Sequence, residues 1–143
     1  MVIEKIKHRL AAEDGFTLIE LLMVIVIIGI LTTIAVPSYL SFRIKAYQAA
    51  AQANVRTAQP AAEAWYQDAA GGNNSYTNLS GANLRVETPG IPTTVKGASN
   101  VAHDGYCIQD TQGGYPYYLT GGNGGTSTVT AGSCNTTTYP GVA

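Results

Sequence analysis

Gly15-Phe16-Thr17-Leu18-Ile19-Glu20 opens into the run Leu21 to Phe42, LLMVIVIIGILTTIAVPSYLSF, and no charged residue follows until Arg43. As a helix these 22 residues span about 33 Å at about 1.5 Å per residue, enough to cross a hydrocarbon core of about 30 Å. The lone acid is Glu20, at the start of the run, where a carboxylate facing lipid costs about 2.5–3.5 kcal/mol. Such a residue needs a partner. Gly29 and Pro37 are the weak points of the helix: proline removes one backbone hydrogen bond and clashes with the carbonyl four residues back, which predicts a kink near Thr33 to Pro37.

Beyond Tyr39 the pattern turns amphipathic. Ile44, Tyr47, Ala51, Val55, Ala58, Ala62, Trp65 and Ala69 recur at steps of three and four, one stripe of a helix with polar residues between. Gly71-Gly72-Asn73-Asn74 reads as its stop. Ser75 to Pro92 is loop-like, with Leu84-Arg85-Val86 as a brief strand. Clearer strands are expected at 106–110, 115–120 and 126–131, separated by Gln112-Gly113-Gly114 and by Gly121 to Gly125 as hairpin turns. Pro116 places the second strand at an edge or starts it at Tyr117. A three-stranded antiparallel sheet packed on the alanine-rich stripe makes the expected fold α+β.

The composition narrows the function classes. Charged residues are 12% of the chain and the formal net charge is −1, which gives no electrostatic case for nucleic acid. No GxSxG, HExxH or P-loop is present, and His103-Asp104 read as loop polars. Tyr115, Tyr117 and Tyr118 form an aromatic group suited first to cross-strand packing and secondly to binding a surface or a glycan. No spacing supports a metal or other cofactor. Cys107 and Cys134 would close a loop of about 28 residues, with a stabilisation of about 3–4 kcal/mol from loop entropy. Two free thiols or half of a metal site are the alternatives, and an oxidising compartment favours the bridge.

The motif G-F-T-L-I-E, the preceding leader with Lys5, Lys7 and Arg9, and the apolar run containing Pro37 together resemble a type IV prepilin or a type II secretion pseudopilin. Glu13-Asp14 stand where many members carry Lys or Arg. The organisation implied is a leader at 1–15, a transmembrane and assembly helix at 16–42, an amphipathic helix at 43–70, and a loop and sheet region with a disulfide-closed end at 71–143. The resemblance implies cleavage between Gly15 and Phe16 by a prepilin peptidase and N-methylation of Phe16. It also implies assembly through Glu20, which pairs with the Phe16 amine of a neighbouring subunit. It makes the chain a structural protein rather than an enzyme, a subunit of an extracellular homo-oligomeric filament serving adhesion, motility or DNA uptake. Its partners are then membrane lipid before assembly, an inner-membrane platform and a cytoplasmic ATPase.

Lys and Arg flank the apolar run almost evenly, so charge alone does not orient it. The expected bridge and the resemblance both put the C-terminal side outside. A pseudopilin and a plain single-span anchored domain are the other readings. Gly121 to Cys134 contains no Asp or Glu, which disfavours the calcium loop common in major pseudopilins and favours the pilin.

Overall fold

The computed structural model describes residues 15–142, so most of the leader read from the sequence lies outside the described residues. The chain forms two compact units, up to Ser41 and from Phe42 onward. Helix α1 covers Leu18–Gln67. In the first unit it is helix alone, with every described residue exposed. Phe16 and Leu18 are more than four-fifths exposed (84% and 83%), and the apolar run turns Leu, Ile and Val outward on all sides. Thr32 and Thr33 do not interrupt this apolar surface. Their hydroxyls donate back to the carbonyls of Ile28 and Gly29 at 2.9 Å, so neither is left unsatisfied in an apolar medium. The helix is continuous through Gly29, Pro37 and Pro60.

In the second unit α1 acquires a buried face. Ala51, Val55, Ala58, Ala61 and Ala62 are buried, with Trp65 and Tyr66 packed at the edge of the same cluster. Of the stripe expected from periodicity, Ile44 remains 38% exposed and Ala69 lies beyond the helix end. The small side chains let the sheet approach closely, and the large ones come from the other side: Tyr106, Ile108, Leu119, Leu84 and Val95. Each fully buried aliphatic residue among them contributes about 1.5–3 kcal/mol. The helix stops where expected but by a different device. The Gly72 and Asn74 amides donate to the Trp65 and Tyr66 carbonyls, and the left-handed residues are Asn73 and Asn74 (φ 50° and 63°). Gly72 serves packing instead, since a Cβ there would sit 2.6 Å from the Trp65 carbonyl oxygen.

The strand expected at Leu84-Arg85-Val86 is a helix. Helix α2 covers Gly81–Glu87, and Ser80 caps it by accepting from the Asn83 amide at 3.3 Å. Ser80 at the N-cap and Leu84 turned into the core outweigh the weak strand signal of a short apolar pair. The sheet has four strands rather than three, in the order β1 (Lys96–Ser99), β2 (Gly105–Gln112), β3 (Tyr115–Gly122) and β4 (Thr130–Ala131), all antiparallel. The β2–β3 turn at Gly113-Gly114 has both residues at positive φ (56° and 87°), the tight hairpin read from the sequence. Pro116 lies within β3 opposite Thr111. Its carbonyl accepts from Gly132 just beyond the end of β4. A residue's N and O point to the same side of a strand, so the missing amide falls where β4 no longer pairs.

β2 is buried on both faces. Tyr106, Ile108 and Asp110 face α1, whereas Cys107 and Gln109 face the C-terminal tail. Cys107 bonds Cys134 (Cα–Cα 6.1 Å), and Ala98, Tyr139 and Val142 close over the bridge. The Gln109 amide grips the tail twice, accepting from the Cys134 amide at 2.9 Å and donating to the Val142 carbonyl at 3.4 Å.

Candidate functional site

At the N-terminus, Thr17 and Glu20 form a reciprocal cap. The Glu20 carboxylate accepts from the Thr17 hydroxyl at 3.0 Å and from the Thr17 amide at 3.3 Å, while the Glu20 amide donates to the Thr17 hydroxyl at 3.3 Å. This is a capping box, satisfying backbone donors that the first helical turn otherwise leaves open. The T-x-x-E spacing is the signal by which this helix start could have been found in the sequence. A carboxylate in the first turn also meets the positive end of the helix dipole. Gly15 and Phe16 precede the cap, outside the helix and exposed. At Gly29 an added Cβ would meet nothing within 4 Å.

Two polar clamps join α1 to β2. The Asn54 amide donates to Asp110 Oδ2 at 2.7 Å, and the Glu63 carboxylate accepts from Tyr106 at 2.8 Å and from Tyr76 at 2.9 Å. Asn54 and Glu63 are nine residues apart, about 13.5 Å along a helix. Tyr106 and Asp110 are four apart, about 13 Å along a strand. The two spacings agree, so one helix register satisfies both clamps. Buried polar pairs of this kind fix alignment more than they add stability. Asp110 is 1% exposed and its Oδ1 has no partner among the described residues, which marks this clamp as the costlier one.

The rings of Tyr66, Tyr76 and Tyr106 pack in series with centroids 4.8 Å apart, tilted by 40° and 53°. Burial, followed by the hydrogen bond to Glu63, holds the Tyr76 and Tyr106 hydroxyls well above the ordinary 10.0. A raised folded-state value leaves stability unchanged below the unfolded value. Stability is then lost as pH rises from there toward the folded value, because the unfolded chain releases protons that the folded one keeps. Urea unfolding from about pH 8 to about pH 12 checks this, and a Tyr76→Phe/Tyr106→Phe variant should lose that part of the alkaline decline. Glu63→Ala is expected to cost about 2–4 kcal/mol at neutral pH, since two buried hydroxyls lose their acceptor.

His103 and Asp104 do not pair with each other. His103 Nδ1 lies 3.1 Å from the Ser99 hydroxyl, and its carbonyl ties down the loop at Tyr76. Asp104 accepts from the Asn100 and Asn123 amides at 2.7 and 2.8 Å, and these two bonds hold its carboxyl below the ordinary 3.8. Both residues border an open cavity of about 530 Å³ whose wall includes Tyr66 and Tyr76. The tyrosines at 115, 117 and 118 are half-buried, and Tyr118 packs on the tail cluster. Among the described residues, no group of three or more His, Cys, Asp or Glu side chains is placed to hold a metal.

The profile of the prokaryotic N-terminal methylation motif matches residues 10–36. That segment contains the Gly15-Phe16 junction, the Thr17–Glu20 cap and most of the apolar run, so the chain is of the class that carries this motif. The type IV major pilin protein PilA of Myxococcus xanthus (strain DK1622) is 39% identical over 54 residues, 38% of this chain and 24% of that protein. A fimbrial protein of Pseudomonas aeruginosa is 44% identical over 52 residues, 36% of this chain and 34% of that protein. The matches thus span between a quarter and a third of these relatives. No solved structure matches. The methylation motif and the N-terminal stretch shared with these pilins are what the chain has in common with the type IV pilin/prepilin family.

Proposed function

We propose that the protein is the structural subunit of an extracellular type IV pilus filament, stored in the membrane through α1 and assembled by helix packing. The observation that carries this reading is the part of α1 up to Ser41, apolar on all sides with every residue exposed, headed by a capped Glu20 and matched by the methylation motif. Such an apolar stretch is at home in lipid or among other copies of itself, and a filament subunit meets both in turn. In this reading a prepilin peptidase cuts between Gly15 and Phe16 and methylates Phe16. The second unit faces outward, consistent with its disulfide. Gly29, where the lack of a side chain lets another backbone come close, and the Thr33 to Pro37 segment are where neighbouring helices approach and where the helix yields. A platform and an ATPase supply assembly from the inner side.

The test is N-terminal and intact mass spectrometry on protein sheared from the surface of the producing cells. The expected chain begins at N-methyl-Phe16, is two hydrogens lighter than its reduced form, and is abundant in fibres. The same processed chain confined to membranes would make it a secretion pseudopilin or a minor subunit. A chain beginning at Met1, or cut after Ala35, would overturn the proposal.

A further inference from the structure

We propose that the cavity bordered by Tyr66, Asp104 and Asn123 is a binding site for a neutral carbohydrate, taken through adjacent hydroxyls. The inference concerns the second unit alone and does not rest on filament formation. The cavity, about 530 Å³, falls within the size range of small-molecule sites. It is built by three separate segments: the end of α1 with its stop, the β1–β2 turn and the end of β3. Left-handed backbone at Asn74 (φ 63°), His103 (φ 59°) and Gly122 (φ 72°) shapes all three. At Gly122 a Cβ would lie 2.5 Å from the Asp104 carbonyl oxygen and 2.9 Å from the Tyr76 ring, so only glycine lets these segments meet here.

The chemistry of the lining selects the ligand class. Tyr66 is half-buried and backed by Tyr76 at 4.8 Å, so it presents one supported aromatic wall to the cavity. The C–H face of a pyranose ring suits the negative face of such a ring. Asp104 lines the same cavity, is exposed, and accepts from the Asn100 and Asn123 amides, one on each oxygen, which lowers the pKa of its carboxyl. Each oxygen keeps a second lone pair. The two amides also fix the carboxylate plane, leaving a pair of set acceptors that matches two neighbouring hydroxyl donors. Hydrogen bonds to such a charged acceptor are shorter and roughly twice as strong as neutral ones. Asn74, Ser75 and His103 add further polar contacts at the rim. Among the described residues no Lys or Arg lines the cavity, so an anionic ligand meets no cation from them there. A quaternary ammonium needs rings on several sides, whereas Tyr76 is 3% exposed and leaves Tyr66 as the accessible wall.

The experiment is saturation-transfer NMR on the full chain in phosphatidylserine nanodiscs, which carry no sugar, no adjacent hydroxyls and no choline. Lactose, cellobiose and tetramethylammonium are the probes. The expected result is saturation transfer to at least one disaccharide, with affinity reduced at least about tenfold by Asp104→Asn, as for losing a charged acceptor. Ala102→Trp, at the exposed rim, should block the cavity to a similar degree while leaving every hydrogen bond of Asp104 in place. Circular dichroism on both variants confirms the fold. Absence of transfer to both sugars in the unsubstituted protein overturns the proposal. So does sugar binding that survives both substitutions within about twofold, or binding of tetramethylammonium alone. Each of these outcomes can occur whether or not the chain forms fibres, so this proposal and the filament proposal fail separately.

Discussion

Reducing the Cys107–Cys134 bridge, or replacing both cysteines by alanine, should lower the unfolding free energy of the second unit by about 3–4 kcal/mol. The bridge spans a sequence separation of 27 residues, and the loop it closes includes β3, β4 and the glycine-rich segment between them. That segment has few buried side chains to order it, so its freedom in the unfolded chain is large and the cross-link removes much of it. A second contribution is local. Cys107 is fully buried and Cys134 is 5% exposed, and Tyr139 and Val142 pack on them. Serine replacement should therefore be worse than alanine, because it adds a buried hydroxyl without a partner. Urea midpoints with and without reductant give the comparison. A loss below about 1 kcal/mol would mean that the two Gln109 hydrogen bonds and the tail cluster hold the loop without the bridge.

The helix and the bridge were legible because each rests on a pattern that tertiary context cannot easily override. An uncharged run from Leu21 to Phe42 has one stable backbone in an apolar medium, and alanines at helical spacing continue it. The hairpin at Gly113-Gly114 was equally plain, since two adjacent glycines between β-rich runs supply the positive φ that a tight turn requires. Strand β1 was missed for the opposite reason. Lys96-Gly97-Ala98-Ser99 has almost no strand propensity and exists because β2 offers it an edge and Leu84 packs over Gly97. The α2 segment was misread because Ser80 acts as a cap only once Leu84 has a core to enter.

The polar clamps lay further from view. Asn54, Glu63, Tyr76, Tyr106 and Asp110 are unremarkable one by one in the sequence, and the periodic reading placed Asn54 and Glu63 among the polar residues between the stripe. Only the matched spacing along α1 and β2 makes them partners. The cavity at Asp104 depends on three segments that meet only in the folded chain, one of them positioned by left-handed asparagines that a sequence records merely as a turn. At the N-terminus the position was legible and the partner was not. Glu20 stood out as a lone acid, yet its nearest ligand is Thr17 of its own chain.

That finding gives the assembly prediction its form. Glu20→Ala is expected to abolish filaments, but this variant alone does not separate a charge needed by a neighbour from a cap needed by the helix itself. Both bonds from Thr17 fall on Oε2 of Glu20. A glutamine at this position keeps a carbonyl acceptor and suits a capping box as well as glutamate does. Glu20→Gln should therefore retain the helix start and lose only the charge. Thr17→Val does the reverse: it removes the hydroxyl, weakening the cap by about 1 kcal/mol, and leaves the carboxylate ionisable. If the carboxylate pairs with the amine of Phe16 in the next subunit, both Glu20 variants fail to assemble while Thr17→Val makes filaments. The expected margin is wide, because breaking one partner from a buried charge pair costs about 3–5 kcal/mol. Electron microscopy of sheared material, with immunoblots for total protein and processing, reads the outcome. Normal filaments from Glu20→Gln together with their loss in Thr17→Val would assign Glu20 to capping and remove the charge pair from the mechanism.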